Sequence, residues 1–185
     1  MVKINFGSGN HPLAGWINVD LAASGRPDVV ADLGRGMPFP TAAVDFIFSE
    51  DLVAYLGLDA VRVFLAECRR IIRPGGAMRV LTPDLAQLAR WYCDAPAALV
   101  DLWNRSVGVP LATGTACEVV NRAYELAGHF QFDSPTLLQL AREAGFDGAR
   151  VGYRESAFAE LAGLDMRDPA GSLSMYHELR PGKAP

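Results

Sequence analysis

The sequence predicts an α/β protein: a mostly parallel sheet closed by an antiparallel hairpin, with a helical insertion after the fifth strand. Three observations carry this. Short apolar, β-prone runs recur from residue 2 to residue 81, and several end on an acid or a hydroxyl residue. A stretch with helical spacing, Asp59–Arg73, stands between the fourth and fifth runs. Residues 84–128 then carry only helical patterns, before β-type runs return at 148–153 and 173–179.

With 185 residues the chain is most simply one domain, large enough to bury a core without disulfide staples. Half of it is hydrophobic, 21% is charged, and the formal charge is −4. An acidic balance argues against nucleic acid as an obligate partner, because phosphate binding needs concentrated positive charge. Cys68, Cys93 and Cys117 are odd in number and lack metal-ligand spacing, so they read as reduced thiols of a cytoplasmic protein. Met1-Val2-Lys3 runs straight into the first strand, so no signal peptide is expected. No apolar run approaches the roughly 18 residues of a membrane span.

Val2–Phe6 is the first strand, and Gly7-Ser8-Gly9 the turn that follows it. Glycine lets a backbone pass close to a ligand. Trp16–Leu21, the second strand, carries Asp20, and an acid at the tip of a neighbouring strand is the usual acceptor for ribose hydroxyls. A nucleoside-containing cofactor across these two strand ends is the expectation. Only Asn10-His11-Pro12-Leu13-Ala14-Gly15 separates the strands, too little for a regular crossover helix. Pro12 also stands where Gly-x-Gly-x-x-Gly needs its third glycine, which moves nicotinamide and flavin dehydrogenases down the list.

Pro27–Ala31 is the third strand, followed by Asp32, and Met37-Pro38-Phe39-Pro40 a rigid connection. Ala43–Ser49 is the fourth, running into Glu50-Asp51. In the helix Asp59–Arg73, Val61, Phe64, Leu65, Cys68 and Ile72 form the apolar face. Its acid at the start and arginines at the end suit the macrodipole. Pro74-Gly75-Gly76 stops it, and Ala77–Leu81 is the fifth strand. Residues 84–128 read as two or three helices, broken at Pro96 and Gly108-Val109-Pro110, with Trp91, Tyr92 and Trp103 serving either core or pocket. Ser134 reads as the N-cap of a last helix with Pro135 at its first position, and Gly145 as its stop. Between the closing strands, Glu155–Pro169 is too long for a tight hairpin. Phe158, Leu161 and Leu164 suggest that it packs onto the body.

The order and spacing of several motifs make a resemblance. Asn5-Phe6-Gly7-Ser8-Gly9 with Gly15-Trp16-Ile17-Asn18-Val19-Asp20, then Asp32 with Met37-Pro38-Phe39-Pro40 and Asp45-Phe46-Ile47, then Arg73-Pro74-Gly75-Gly76, and finally Ala141-Arg142-Glu143-Ala144-Gly145-Phe146, resemble the class I S-adenosylmethionine-dependent methyltransferases. The nearest likeness is to their compact predicted-methyltransferase (type 11-like) branch. The resemblance implies a Rossmann-like sheet, S-adenosylmethionine as cofactor and S-adenosylhomocysteine as product. It places Phe6, Gly7, Ser8, Gly9 and Asn10 beneath the methionine part. It assigns Asp20, with Leu21 beside it, to the ribose, and Asp32 and Leu33 to the adenine. Ser49, Glu50 and Asp51 would face the sulfonium and amino end.

Two departures bear on function. The family often shows Ser-x-His-x-Leu-x-His-Leu after strand four; here Asp51 and Tyr55 replace both histidines. A base is needed only where the acceptor must lose a proton, and the catalytic candidates, at strand ends or in the inserted region, are Asp51, Tyr55 and His129. The sequence opens on its first strand, whereas many relatives cover the cofactor with N-terminal helices, so cover is expected from residues 84–133 or from a second subunit, as in a homodimer. The expected function is methyl transfer to a small-molecule or sugar-type acceptor, with residues 84–133 as acceptor-side cover and no metal. The alternative is a noncatalytic cofactor-binding or assembly protein on the same sheet.

Overall fold

The computed structural model describes residues 1–128 and 130–182, with Ala127 described by its backbone alone. Seven strands form one sheet: β1 (Lys3–Phe6), β2 (Ile17–Asp20), β3 (Val29–Val30), β4 (Val44–Glu50), β5 (Ile72–Pro83), β6 (Phe146–Val151) and β7 (Ser174–Pro181). Their order is β3-β2-β1-β4-β5-β7-β6. Pairings from β3 to β5 are parallel, and β7 lies antiparallel between β5 and β6. The chain reverses direction across the sheet between β1 and β4, the switch point at which ligands of open α/β sheets bind.

Side chains alternate along the strands and so supply two cores. On one face Ile4, Phe6, Ile47, Met78, Val80, Met175 and Leu179 pack under two helices, α1 (Val53–Ile71) and α5 (Ser134–Glu143). Val61, Phe64, Leu65, Cys68 and Ile71 form the buried stripe of α1. On the opposite face Phe46, Phe48, Ala77, Leu81 and Tyr176 are covered mainly by Phe158, Leu161 and Leu164 of the β6–β7 connection. Helices α2 (Leu85–Asp94), α3 (Pro96–Ser106) and α4 (Ala116–Ala127) make a third, smaller core around Leu88, Leu99, Trp103 and Val119.

Several local expectations are adjusted. Helix α1 starts at Val53, ahead of Asp59, but its backbone breaks at Gly57 (φ 73°, ψ 167°), so the regular helix begins just before Asp59. Arg73-Pro74-Gly75-Gly76 lies within β5, at a register shift opposite Val44–Phe46. Gly76 is required there by close approach: a Cβ would sit 2.5 Å from the Asp45 carbonyl oxygen. The N-cap of α5 is Asp133, whose carboxylate accepts from Thr136 N at 3.0 Å. Ser134 instead pairs its hydroxyl with His177 Nε2 at 2.7 Å. The closing strands begin at Phe146 and Ser174, each shifted from its expected start. No described helix is long and apolar enough to cross a membrane.

Candidate functional site

The turn after β1 is shaped by backbone bonds. Gly7 N and Ser8 N both donate to Val19 O, at 2.9 and 3.2 Å, which draws the turn against β2. Gly7 has φ +71°, a left-handed value that a side chain disfavours. A Cβ there would also stand 3.0 Å from Leu52 Cβ. The carboxylate of Asp20 holds the two loops of the site together, accepting from Gly9 N and from Ala22 N at 2.8 Å each.

A cleft of about 560 Å³ opens at the carboxyl ends of β1, β2 and β4. Gly7, Ser8, Gly9, Asp20, Leu21, Asp32, Leu33, Glu50, Asp51 and Tyr55 all line it, brought together from four separate stretches of chain. Phe6 and Ser49 are fully buried and Asn10 is exposed, and none of the three lines the cleft. Asp32 is engaged locally, accepting from Gly34 N at 3.1 Å and pairing with Arg35 at 3.0 Å. His129 lies outside the described residues.

At the end of β4 the chain turns sharply. Asp51 adopts φ +59°, an uncommon conformation for a non-glycine residue and one that clusters at functional sites. Its carboxylate pairs with Arg167 at 2.7 Å, and Arg167 also lies 3.7 Å from Glu50. Burial, reinforced by the neighbouring Asp51 charge, pushes the Glu50 carboxyl up to about 7, against the opposing hydrogen bond from Met166 N. Burial also raises the Asp51 carboxyl, although Arg167 opposes it. The two carboxylates outweigh the effect of burial on Arg167 and hold its guanidinium charged. Ser8 Oγ, Glu50 Oε1 and Asp51 Oδ1 are buried and have no hydrogen-bond partner among the described residues.

Arg167, Met166 and Leu164 were not legible as site residues. They reach the cleft from the β6–β7 connection, and among the described residues none of the cleft lining comes from 84–133. One sequence signal pointed there: Arg79 lies in the middle of an apolar buried strand, and a charge so placed needs a partner. That partner is Asp165, next in sequence to Met166.

Helices α2–α4 line a second cavity of about 360 Å³. Asp51, Tyr55 and Arg167 belong to both cavities and form the neck between them. Trp103 packs in the insertion core, donates from Nε1 to Val109 O at 2.7 Å, and lines this cavity as well. Trp91 only packs against that core, and Tyr92 is exposed.

Residues 15–80 match the family model described as a methyltransferase domain. No curated protein matches the sequence significantly. Among solved structures, the chain is similar to a SAM-dependent methyltransferase from Thermotoga maritima described as a possible histamine N-methyltransferase, with 17% identity, 97% of this chain and 81% of that chain covered, and a TM-score of 0.56. An S-adenosylmethionine dependent methyltransferase from Mesorhizobium loti shows 16% identity, 97% and 90% coverage, and a TM-score of 0.54. The DhpI–SAH complex shows 13% identity, 98% and 77% coverage, and a TM-score of 0.54. The chain thus has the Rossmann-like fold of the class I S-adenosylmethionine-dependent methyltransferases, and its sequence match to the methyltransferase domain runs from residue 15 to residue 80.

Proposed function

We propose that the protein is an S-adenosylmethionine-dependent methyltransferase acting on a small-molecule acceptor. One observation carries this reading: a cleft at the switch point, floored by Gly7–Gly9 and Asp20, meets a second cavity at the Asp51–Tyr55–Arg167 neck. Cofactor and acceptor would occupy two adjoining cavities that meet at this neck, which suits in-line transfer between two positioned groups.

The residues fit the cofactor. Unpartnered oxygens on Ser8 and Glu50 suit a polar ligand that brings its own donors, and the neighbouring Glu50 and Asp51 carboxyls favour a cationic one. The Gly7–Gly9 turn, whose own amides are engaged by Val19 O and Asp20, would let the cofactor pass close to the backbone. Asp20 keeps acceptor capacity for ribose hydroxyls, while Leu21 and Leu33 supply apolar wall. When bound, this cofactor supplies an electrophilic methyl carbon on a sulfonium. The protein's share is to orient it, exclude water, and hold a proton at Asp51 or Tyr55 when the acceptor must release one.

Isothermal titration with S-adenosylmethionine tests the reading, on wild type and on Asp20→Ala. Saturable heat for wild type, weakened at least about tenfold in the variant, is expected. No heat for wild type sinks it. Turnover to S-adenosylhomocysteine with a mixture of acceptors then separates an enzyme from a noncatalytic binder.

A further inference from the structure

The second cavity has an uneven distribution of polar atoms. Leu88, Leu99, Leu102, Trp103, Val119 and Leu126 make most of its wall apolar. Among the described residues, the polar groups away from the neck are largely engaged within the protein. Gln131 Nε2 donates to Ala123 O at 3.0 Å, and Ser172 Oγ to Asp168 O at 3.1 Å. The Asp84 carboxylate accepts from Ala86 N and Gln87 N and pairs with Arg150 at 2.9 Å. Ser106 and Ser174 add single hydroxyls. At the neck, by contrast, Asp51 Oδ1 is buried without a hydrogen-bond partner among the described residues, beside Tyr55 and Arg167.

A polyol needs a partner for each hydroxyl it buries, and an apolar wall leaves those groups unsatisfied at about 1–3 kcal/mol each. A flat apolar body with a single polar head meets no such penalty. Size sets the scale: an apolar cavity of about 150 Å³ admits one benzene, so about 360 Å³ accommodates roughly two fused rings.

We infer that the acceptor is an apolar molecule of about two rings with one protic group, its rings in the insertion cavity and that group at the Asp51–Tyr55–Arg167 neck, and that it is not a sugar. This rests on the methyl-transfer reading. In the transfer the acceptor heteroatom forms the bond to the methyl carbon, the carbon–sulfur pair stays on sulfur, and the acceptor's proton passes to Asp51.

The test uses 2-naphthol and glucose as probes in equilibrium dialysis, on protein whose S-adenosylmethionine binding has been titrated first. Saturable 2-naphthol binding is expected. It should weaken at least tenfold in Val119→Trp and in Ala123→Phe, with cofactor titration unchanged in both and no binding of glucose. Ala123 is only half-buried, so its variant guards against a folding defect in the first, and melting curves check both. Cofactor binding without saturable 2-naphthol binding overturns the inference. So does equal 2-naphthol binding by the filled variants, or displacement by glucose. If 2-naphthol binds as expected but the cofactor does not, the cavity chemistry stands and the methyl-transfer reading fails.

Discussion

Arg79 of β5 and Asp165 of the β6–β7 connection form a two-pronged ion pair that is wholly buried. Arg79 also donates to Glu155 O at 2.6 Å and Gly152 O at 2.9 Å, while Arg154 N donates to Asp165 at 2.6 Å. The pair satisfies its own polar groups and fixes the connection on the sheet. Because Met166 and Arg167 follow Asp165 directly, it also sets where the second wall of the cleft stands. Burying such a pair is costly in itself, but leaving one member alone is worse.

Asp165→Ala is therefore expected to cost about 3–5 kcal/mol in urea unfolding. The double variant Arg79→Met/Asp165→Leu should recover most of that loss, because it removes the stranded charge. A double variant no better than the single one contradicts the assignment.

Glu50 gives a pH dependence of defined sign. Its carboxyl is pushed up to about 7 in the folded protein, against an ordinary value of 4.5, chiefly by burial. The folded protein therefore keeps a proton that the unfolded chain releases. The stabilising contribution is full below about 4.5 and is lost as pH rises through about 7. Glu50→Gln is neutral at every pH, so its stability relative to wild type should climb between these values and level off above them. Denaturant unfolding at intervals from pH 4.5 to 8 measures this, and parallel curves would refute it.

Gly75 and Gly76 should differ in tolerance. Gly75 has φ +82° and open space around it, so Gly75→Asn, which accepts left-handed backbone, is expected to cost under about 1 kcal/mol. At Gly76 any Cβ meets the Asp45 carbonyl oxygen and Ile72 Cγ1, so Gly76→Asn should cost about 1–3 kcal/mol. Thermal melts of the two variants test the order.

The cysteines predict a thiol count. Cys93 and Cys117 are exposed, whereas Cys68 is wholly buried in α1, and burial pushes its thiol well up. Ellman's reagent is expected to titrate two thiols in the native protein and the third only on unfolding. Three fast-reacting native thiols would contradict the packing of α1.

Local chemistry determined much of this protein. Apolar runs ending on polar residues located the parallel strands, and Gly7-Ser8-Gly9 with Asp20 and Asp32 marked the cleft, because turns and strand tips are written in neighbouring residues. Helical spacing placed α1 and the insertion for the same reason. The tertiary structure alone decided what stands opposite those strand ends. Arg167 reaches Asp51 across 116 positions of sequence, held by a pair, Arg79–Asp165, that spans 86. It also divided the work of cover: the β6–β7 connection closes the cleft and the insertion lines the second cavity. Contacts between distant segments depend on the register and burial of the whole sheet, and no short window of sequence contains that information.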